Sequence, residues 1–354
     1  MSEELSFNPA ARLLLVAGAF VVVIAGMQAA SSLIAPFLLA VFIAVIASAP
    51  LGYLRRRGLP NGLALIAVML GLVGIGGIVG LLVAGSLGGF EASLPEYQER
   101  LKQLTGELVG WLHGIGIHTS REALQTYIDP ARALGFAGEL ISGLSGALTN
   151  TLLILLTVVF ILLEATNLPA KLTLALKTPE ASIARLKHVL DSVNHYMGLK
   201  TVTSLGTGVA VWVWLAALGV DFAVLWAAVA FLLNFVPTIG SILAAIPAVL
   251  LALVQLDLQS ALLVALGYVL INTLVGNILE PRIMGRGLGL STLVVFVSLV
   301  FWGWVLGPVG MFLSVPLTMS LKIALDANPQ TRPIAILLGP EVTNSSLDPH
   351  THTP

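Results

Sequence analysis

Five neutral hydrogen-bonding side chains, Asn234, Thr238, Ser241, Asn272 and Asn277, stand within the apolar second half of this sequence. In hydrocarbon an amide or hydroxyl without a partner is costly. Such groups either line a path for a small polar molecule or pair with one another to hold helices together, and their residue types allow both. Three of them fall in Asn234-Phe235-Val236-Pro237-Thr238-Ile239-Gly240-Ser241, which is followed by Pro247. Pro237 has no amide proton and disfavours helical geometry at Val236, so the backbone is expected to open there. Its freed polar groups must then face protein or a water-filled cavity. A second interruption, from Trp302 through Pro308 to Gly310, is followed by Pro316. In both, a second proline lies six or seven residues beyond the glycine.

Charged candidates are few. Glu280, Arg282 and Arg286 bracket a membrane boundary. They serve there as an anchor, or as an ion pair or gate whose partner changes between states. No His-Glu-x-x-His zinc pair and no Gly-x-Ser-x-Gly elbow occurs. His188, Asp191 and His195 could share one helix face, but in a polar segment they read as a solvated face. Gly285-Arg286-Gly287-Leu288-Gly289 follows no strand, so it reads as a joint and not as a phosphate loop. The expectation is a protein that is not an enzyme, with no cofactor and no metal.

The elements that must position these groups follow from composition. Of 354 residues, 57% are hydrophobic and 10% charged, against roughly 45 to 50% and about 25% in soluble domains. A bilayer accepts that much apolar surface; the interior of a soluble chain of this size does not. The net charge of -1 excludes a basic field for nucleic acid, and the absence of cysteine excludes disulfides and thiolate chemistry. The chain is therefore an all-α integral membrane protein whose partner is the lipid bilayer.

Gaps between charges mark the spans. None occurs in 13–54, 58–90, 140–163 or 287–321, and 201–279 holds only Asp221 and Asp257. About 20 apolar residues cross the hydrocarbon, so the first gap holds two helices with a join near Ser31 and Ser32. About seven to eight membrane helices are expected in all, one or two of them broken or re-entrant. Arg55, Arg56 and Arg57 form the densest basic cluster, which places their loop in the cytoplasm. Residues 91–139 carry seven acids and four bases, which suits the external side, and 164–200 carry five bases and three acids, which suits a return inside.

Leu94, Tyr97, Leu101, Leu104, Leu108, Trp111 and Ile115 form an amphipathic stripe, and Ser93 with Glu96, like Thr119 with Glu122, reads as a capping box. Ile183, Leu186, Leu190, Val193 and Met197 repeat the stripe after Thr178 and Pro179. These helices pack on the membrane domain or a neighbouring subunit, or lie on lipid. The glycines of the third helix, Gly76, Gly80, Gly85 and Gly89, read as close-packing positions. Around Pro237 the arms of about a dozen residues are too short to span, which suggests a re-entrant hairpin from Asp221 to Asp257. Around Pro308 the arms are about 16 residues. Two hairpins inserted from opposite faces, tips meeting around a wet chamber, would form a transporter site; ordinary proline kinks are the alternative.

Pro237-Thr238-Ile239-Gly240-Ser241, the run from Asn277 through Glu280-Pro281-Arg282 to Ser291, and Gly307-Pro308-Val309-Gly310 with Val315-Pro316-Leu317 resemble the signature regions of the AI-2E family of bacterial transporters. The likeness is close to its quorum-signal exporter branch and covers nearly the whole chain. The resemblance implies an oligomeric inner-membrane protein that exports autoinducer-2, a small neutral hydroxylated molecule. Other members are reported to exchange sodium or lithium for protons, and this is the alternative; conduction without tight coupling is a third.

The expected organisation is N-terminal membrane helices at 1–90, an external helical segment at 91–146, a membrane helix at 147–166, a cytoplasmic helical segment at 167–199, a transport core at 200–326 and a tail at 327–354, with both termini cytoplasmic. Asn234, Pro237, Thr238, Gly240, Ser241, Asn272 and Asn277 are the candidate cargo contacts. Glu280, Arg282, Arg286, Pro308 and Gly310 are the candidate gate.

Overall fold

The computed structural model describes residues 8–115, 151–165, 167–175, 179–237, 239–284 and 289–340. Helices α1 (Pro9–Ala29) and α2 (Ser31–Arg56) part at Ala30, so the first charge-free gap does hold two helices. Helix α3 (Asn61–Gly114) then runs unbroken for 54 residues. At 1.5 Å per residue it is about 80 Å long, against about 30 Å of hydrocarbon. Its charged second half therefore stands outside the bilayer.

That continuity corrects one expectation, because Ser93 and Glu96 lie in mid-helix with Pro95 between them. A proline removes one helical hydrogen bond and crowds the preceding turn. Here the register is held from beyond the proline. Tyr97 and Leu101 are buried in the same core as Val211, Leu215, Leu225 and Leu251, and the Tyr97 hydroxyl donates to Asp221 Oδ2 at 2.9 Å. Thr119 and Glu122 lie outside the described residues.

Helix α4 (Thr151–Ala165) packs with α2 and α3 through Ala40, Ala44, Ala47 and Ala64 against Leu51, Ile154, Val158 and Leu162. Alanines at four- and three-residue steps let the backbones approach closely without a hydrophobic driving force. Gly76, Gly80 and Gly85 do not serve that purpose within the described part of the chain, since no described atom lies near them. Gly89 does, with the Phe222 ring lying on it. Helix α5 (Leu168–Ala175) leads to α6 (Pro179–Ala217), which runs without a break through Lys200.

Next come α7 (Ala223–Leu233) and α8 (Ile239–Gln255), separated by the opened residues around Pro237. At 11 residues, about 16 Å, α7 cannot cross the hydrocarbon. The pair returns to its origin: Gln255 Nε2 donates to Gly219 O at 3.0 Å and the Asp221 N–H donates to Gln255 Oε1 at 2.8 Å. Residues 221–255 therefore form a re-entrant hairpin closed at its base by one glutamine. Phe222 at that base adopts a left-handed backbone (φ 56°), a strained conformation for an aromatic residue. Its ring packs edge-on against Phe90.

Helix α9 (Leu258–Asn272) starts at Asp257, passes into a π-helical run (Thr273–Leu279) and ends as α10 (Glu280–Met284). Helices α11 (Thr292–Leu306) and α12 (Pro308–Asp326) form a second antiparallel pair around Gly307, whose φ of 69° suits glycine. Its open end is tied as well. Lys322 Nζ donates to Gly289 O, and the Ser291 N–H donates to Leu338 O, just beyond α13 (Arg332–Leu337), at 3.1 Å. The first hairpin opens at the C-terminal end of α6. The second opens where α10 packs on α6 near Lys200. The two openings are about 25 Å apart along α6. They point in opposite directions, and their tips touch.

Among the described residues there is no strand, and five helices are long and apolar enough to cross a membrane, with five shorter apolar helices beside them. Leu14, Val22, Leu33, Leu81 and Leu152 are all exposed on the outside. That is the surface of an all-α membrane protein solvated by lipid.

Candidate functional site

The site is built on α6. Lys200, Thr203, Ser204 and Thr207 recur at helical steps of three, one and three and are all buried. Two threonines of this stripe satisfy themselves within the helix: the Thr203 hydroxyl donates to Lys200 O and that of Thr207 to Thr203 O, both at 3.1 Å. Ser204 instead accepts from Asn234 Nδ2 at 2.9 Å. Asn234 is the first residue past α7, placed at the tip because Pro237 ends the helix there.

Beside that bond lies a cavity of about 10 Å³ between α6, α7, α8 and α9. Its polar wall is Thr207, Asn234, Ser241, Tyr268 and Asn272, and its apolar wall is Val211, Ala230, Ala244 and Ile271. The volume matches about one water. Tyr268 is 6% exposed, and among the described residues its hydroxyl has no hydrogen-bond partner. Leaving such a group unpaired in a protein interior costs about 1 to 3 kcal/mol.

Of the residues anticipated as cargo contacts, Asn234, Ser241 and Asn272 converge here. Asn277 sits exposed in the π-helical run, away from the cavity, and Thr238 and Arg286 lie outside the described residues. Pro237 and Gly240 shape the tip. A Cβ at Gly240 would overlap the Leu233 carbonyl, and one at Gly310 would overlap the Trp302 carbonyl. Both tips thus use a glycine in the first turn of the second arm, where the first arm's backbone leaves no room for a side chain. Pro308 opens α12 as its first residue, and Pro247 and Pro316 are buried further along each second arm.

The cavity is bordered by the first hairpin only. The second hairpin reaches it indirectly, through Phe312 stacked on Phe235 with ring centres 4.4 Å apart. Phe231 packs edge-on against Phe235 in turn, so aromatic side chains line the place where the tips meet.

Glu280 is no surface anchor. Lys200 Nζ donates to both of its carboxylate oxygens, at 2.8 and 2.9 Å, and the side chains are 6% and 16% exposed. Taking two charges out of water costs several kcal/mol per ion, so the pair persists only with this close geometry. Arg282 beside it is exposed. Lys200 was legible only as one more charge of a polar segment, because its partner lies 80 residues away. Thr203, Ser204 and Thr207 carried a signal, polar residues at helical spacing on a face otherwise apolar. Tyr268 carried none.

Near the Asp221 end, Asp257 caps α9 by accepting the Ser260 N–H at 2.7 Å, which holds its carboxyl below the ordinary range. His188, Asp191 and His195 are exposed, and among the described residues no three His, Asp or Glu side chains are grouped to hold a metal ion.

With this geometry in view, known proteins give it a context. A family model described as "AI-2E family transporter" matches residues 15–330. The chain is 44% identical over 328 residues to the "AI-2 transport protein TqsA" of Escherichia coli K12, covering 92% of this chain and 95% of the relative. It is 41% identical over 336 residues to the "Putative transport protein YhhT" of the same strain, covering 95% and 96%. A "Putative transport protein" of Haemophilus influenzae is 42% identical over 336 residues, covering 93% and 96%.

Proposed function

The chain belongs to the AI-2E transporter family, and from that premise we propose that it exports a small, neutral, hydroxylated molecule across the bacterial inner membrane, with autoinducer-2 as the cargo. The similarity to TqsA supports the choice of cargo. One observation carries the chemistry: every polar group on the cavity wall is an uncharged hydroxyl or carboxamide. Hydroxyls and carboxamides both donate and accept hydrogen bonds, as the hydroxyls of such a cargo do. Thr207 and Tyr268 join Asn234, Ser241 and Asn272 in this role; Thr238 and Asn277 join them when the tip opens. The chain moves its cargo without changing it.

Alternating access proceeds by displacement of the hairpin tips, with Pro237, Gly240, Pro308 and Gly310 keeping each tip bent, and Glu280, Arg282 and Arg286 at the cytoplasmic mouth. The orientation rests on Arg55–Arg57. Asn194 Nδ2 donates to Ser48 Oγ at 3.3 Å, so the basic end of α2 and the polar start of α6 lie at one end of the bundle. That end is cytoplasmic, as are both termini. The working unit is a homo-oligomer, as the resemblance implies.

Exchange of sodium or lithium for protons would need a carboxylate facing the cargo. The cavity wall has none, and Glu280 is engaged by Lys200. Purified protein in sealed vesicles decides the matter. Saturable movement of labelled autoinducer-2 with no sodium-driven pH change is expected. The reverse result would replace the proposal with antiport, and unsaturable downhill flux would replace it with a channel.

A further inference from the structure

We infer that the buried face of α6 from Lys200 to Thr207 is the cytoplasmic half of the cargo path, and that the Lys200–Glu280 pair is the latch that closes it. The inference rests on the transport reading above and adds Lys200 as a residue of the transport cycle. Its first support is continuity. From Lys200 to Thr207 is about 10 Å along the helix, and Thr203, Ser204 and the Asn234 amide fill the interval with polar groups up to the cavity wall. Beyond Thr207 the same face turns apolar at Val211 and Leu215, both fully buried. There the Trp214 indole N–H donates to Leu263 O at 3.1 Å, and its ring lies so close over Gly267 that a Cβ would not fit. The polar stripe that reaches the cavity is thus bounded by packing on one side and by charges on the other.

Only the charged seal is suited to a switch. A buried ion pair adds little stability over an apolar pair of the same size, but once parted each charge draws in water. The means of parting it lies in the backbone. Asn272 on the cavity wall and Glu280 in the pair are joined by the π-helical run Thr273–Leu279 and nothing else. A π turn holds one more residue than an α turn. Relaxing one such turn to α rotates Glu280 by about 100°, enough to lift its carboxylate from Lys200. Cargo engaging Asn272 therefore acts on the latch through a single covalent segment.

The chain contains no cysteine, which makes the test direct. Full-length protein carrying Thr203→Cys or Ser204→Cys is placed in vesicles with the cytoplasmic face outward and treated with a membrane-impermeant maleimide. Lys200→Gln or Glu280→Gln should raise the labelling rate at least tenfold, and the exchanged pair Lys200→Glu with Glu280→Lys should restore the slow rate. Equal rates in all backgrounds overturn the latch. Should a single variant fail to fold, Lys200→Cys with Glu280→Cys, bridged by a reducible bifunctional thiosulfonate, supplies a second measurement. Flux of labelled autoinducer-2 should fall at least tenfold and return on reduction; undiminished flux overturns the latch. Labelling needs no cargo. A labelling response without autoinducer-2 flux supports the latch and removes the cargo assignment, whereas flux without a labelling response removes the latch alone.

Discussion

The ring of Phe235, at the tip of the first hairpin, lies on that of Phe312, one turn past the tip of the second, with ring centres 4.4 Å apart and planes inclined by 30°. Two segments inserted from opposite ends of the bundle therefore meet at a stacked aromatic pair. Phe235→Leu keeps most of the volume and should cost about 1 kcal/mol in stability, within the range of core hydrophobic exchanges and aromatic pairs. Transport should suffer far more, by tenfold or greater, because the tips would no longer move together. Thermal unfolding beside vesicle flux measures both, and flux near that of the parent protein would show the contact to be mere packing.

Gly240 and Gly310 occupy equivalent places, each against a carbonyl of the arm before it. Alanine at either should force the arms apart and destabilise the protein by about 1 to 3 kcal/mol, the usual cost of overpacking. Gly80→Ala should change little, since no described neighbour lies near Gly80. Melting temperatures of the three variants test the contrast, and equal shifts would argue against tight tips.

Pro237→Ala should leave the melting temperature close to that of the parent yet impair export. A restored amide lets α7 grow toward α8, which would withdraw Asn234 from Ser204. Equal transport at equal membrane abundance would count against this.

Tyr268→Phe removes a buried hydroxyl that has no partner among the described residues. Stability should hold steady or rise. The concentration for half-maximal transport should increase about tenfold, the worth of one hydrogen bond of about 1.4 kcal/mol. A fall in melting temperature with unchanged transport would assign the hydroxyl a structural part.

Much of the architecture was legible because charge and proline act locally. A run without charges marks a span whatever its neighbours, so the junction at Ala30 could be placed within a residue or two. Pro237 and Pro308 announce breaks through their own missing amides, and both breaks are hairpin tips. The capping box at Ser93 and Glu96 misled because the same local logic fails when distant contacts such as Tyr97 to Asp221 hold the helix continuous through Pro95. The site was legible in part for the same reason. Asn234, Ser241 and Asn272 stand out as polar in apolar surroundings. The pairing of Lys200 with Glu280 is a property of the assembled fold that no spacing encodes, and a tyrosine counts as apolar until its hydroxyl is seen without a partner.

A resting cavity with room for about one water also governs speed. On the proposed transport reading a cavity of this size cannot hold the cargo, so each cycle must first enlarge it by displacing backbone, a motion of microseconds to milliseconds. Turnover is then limited by rearrangement, with a steep temperature dependence, and bulkier analogues are slowed in proportion to the expansion they demand rather than to their loss of affinity.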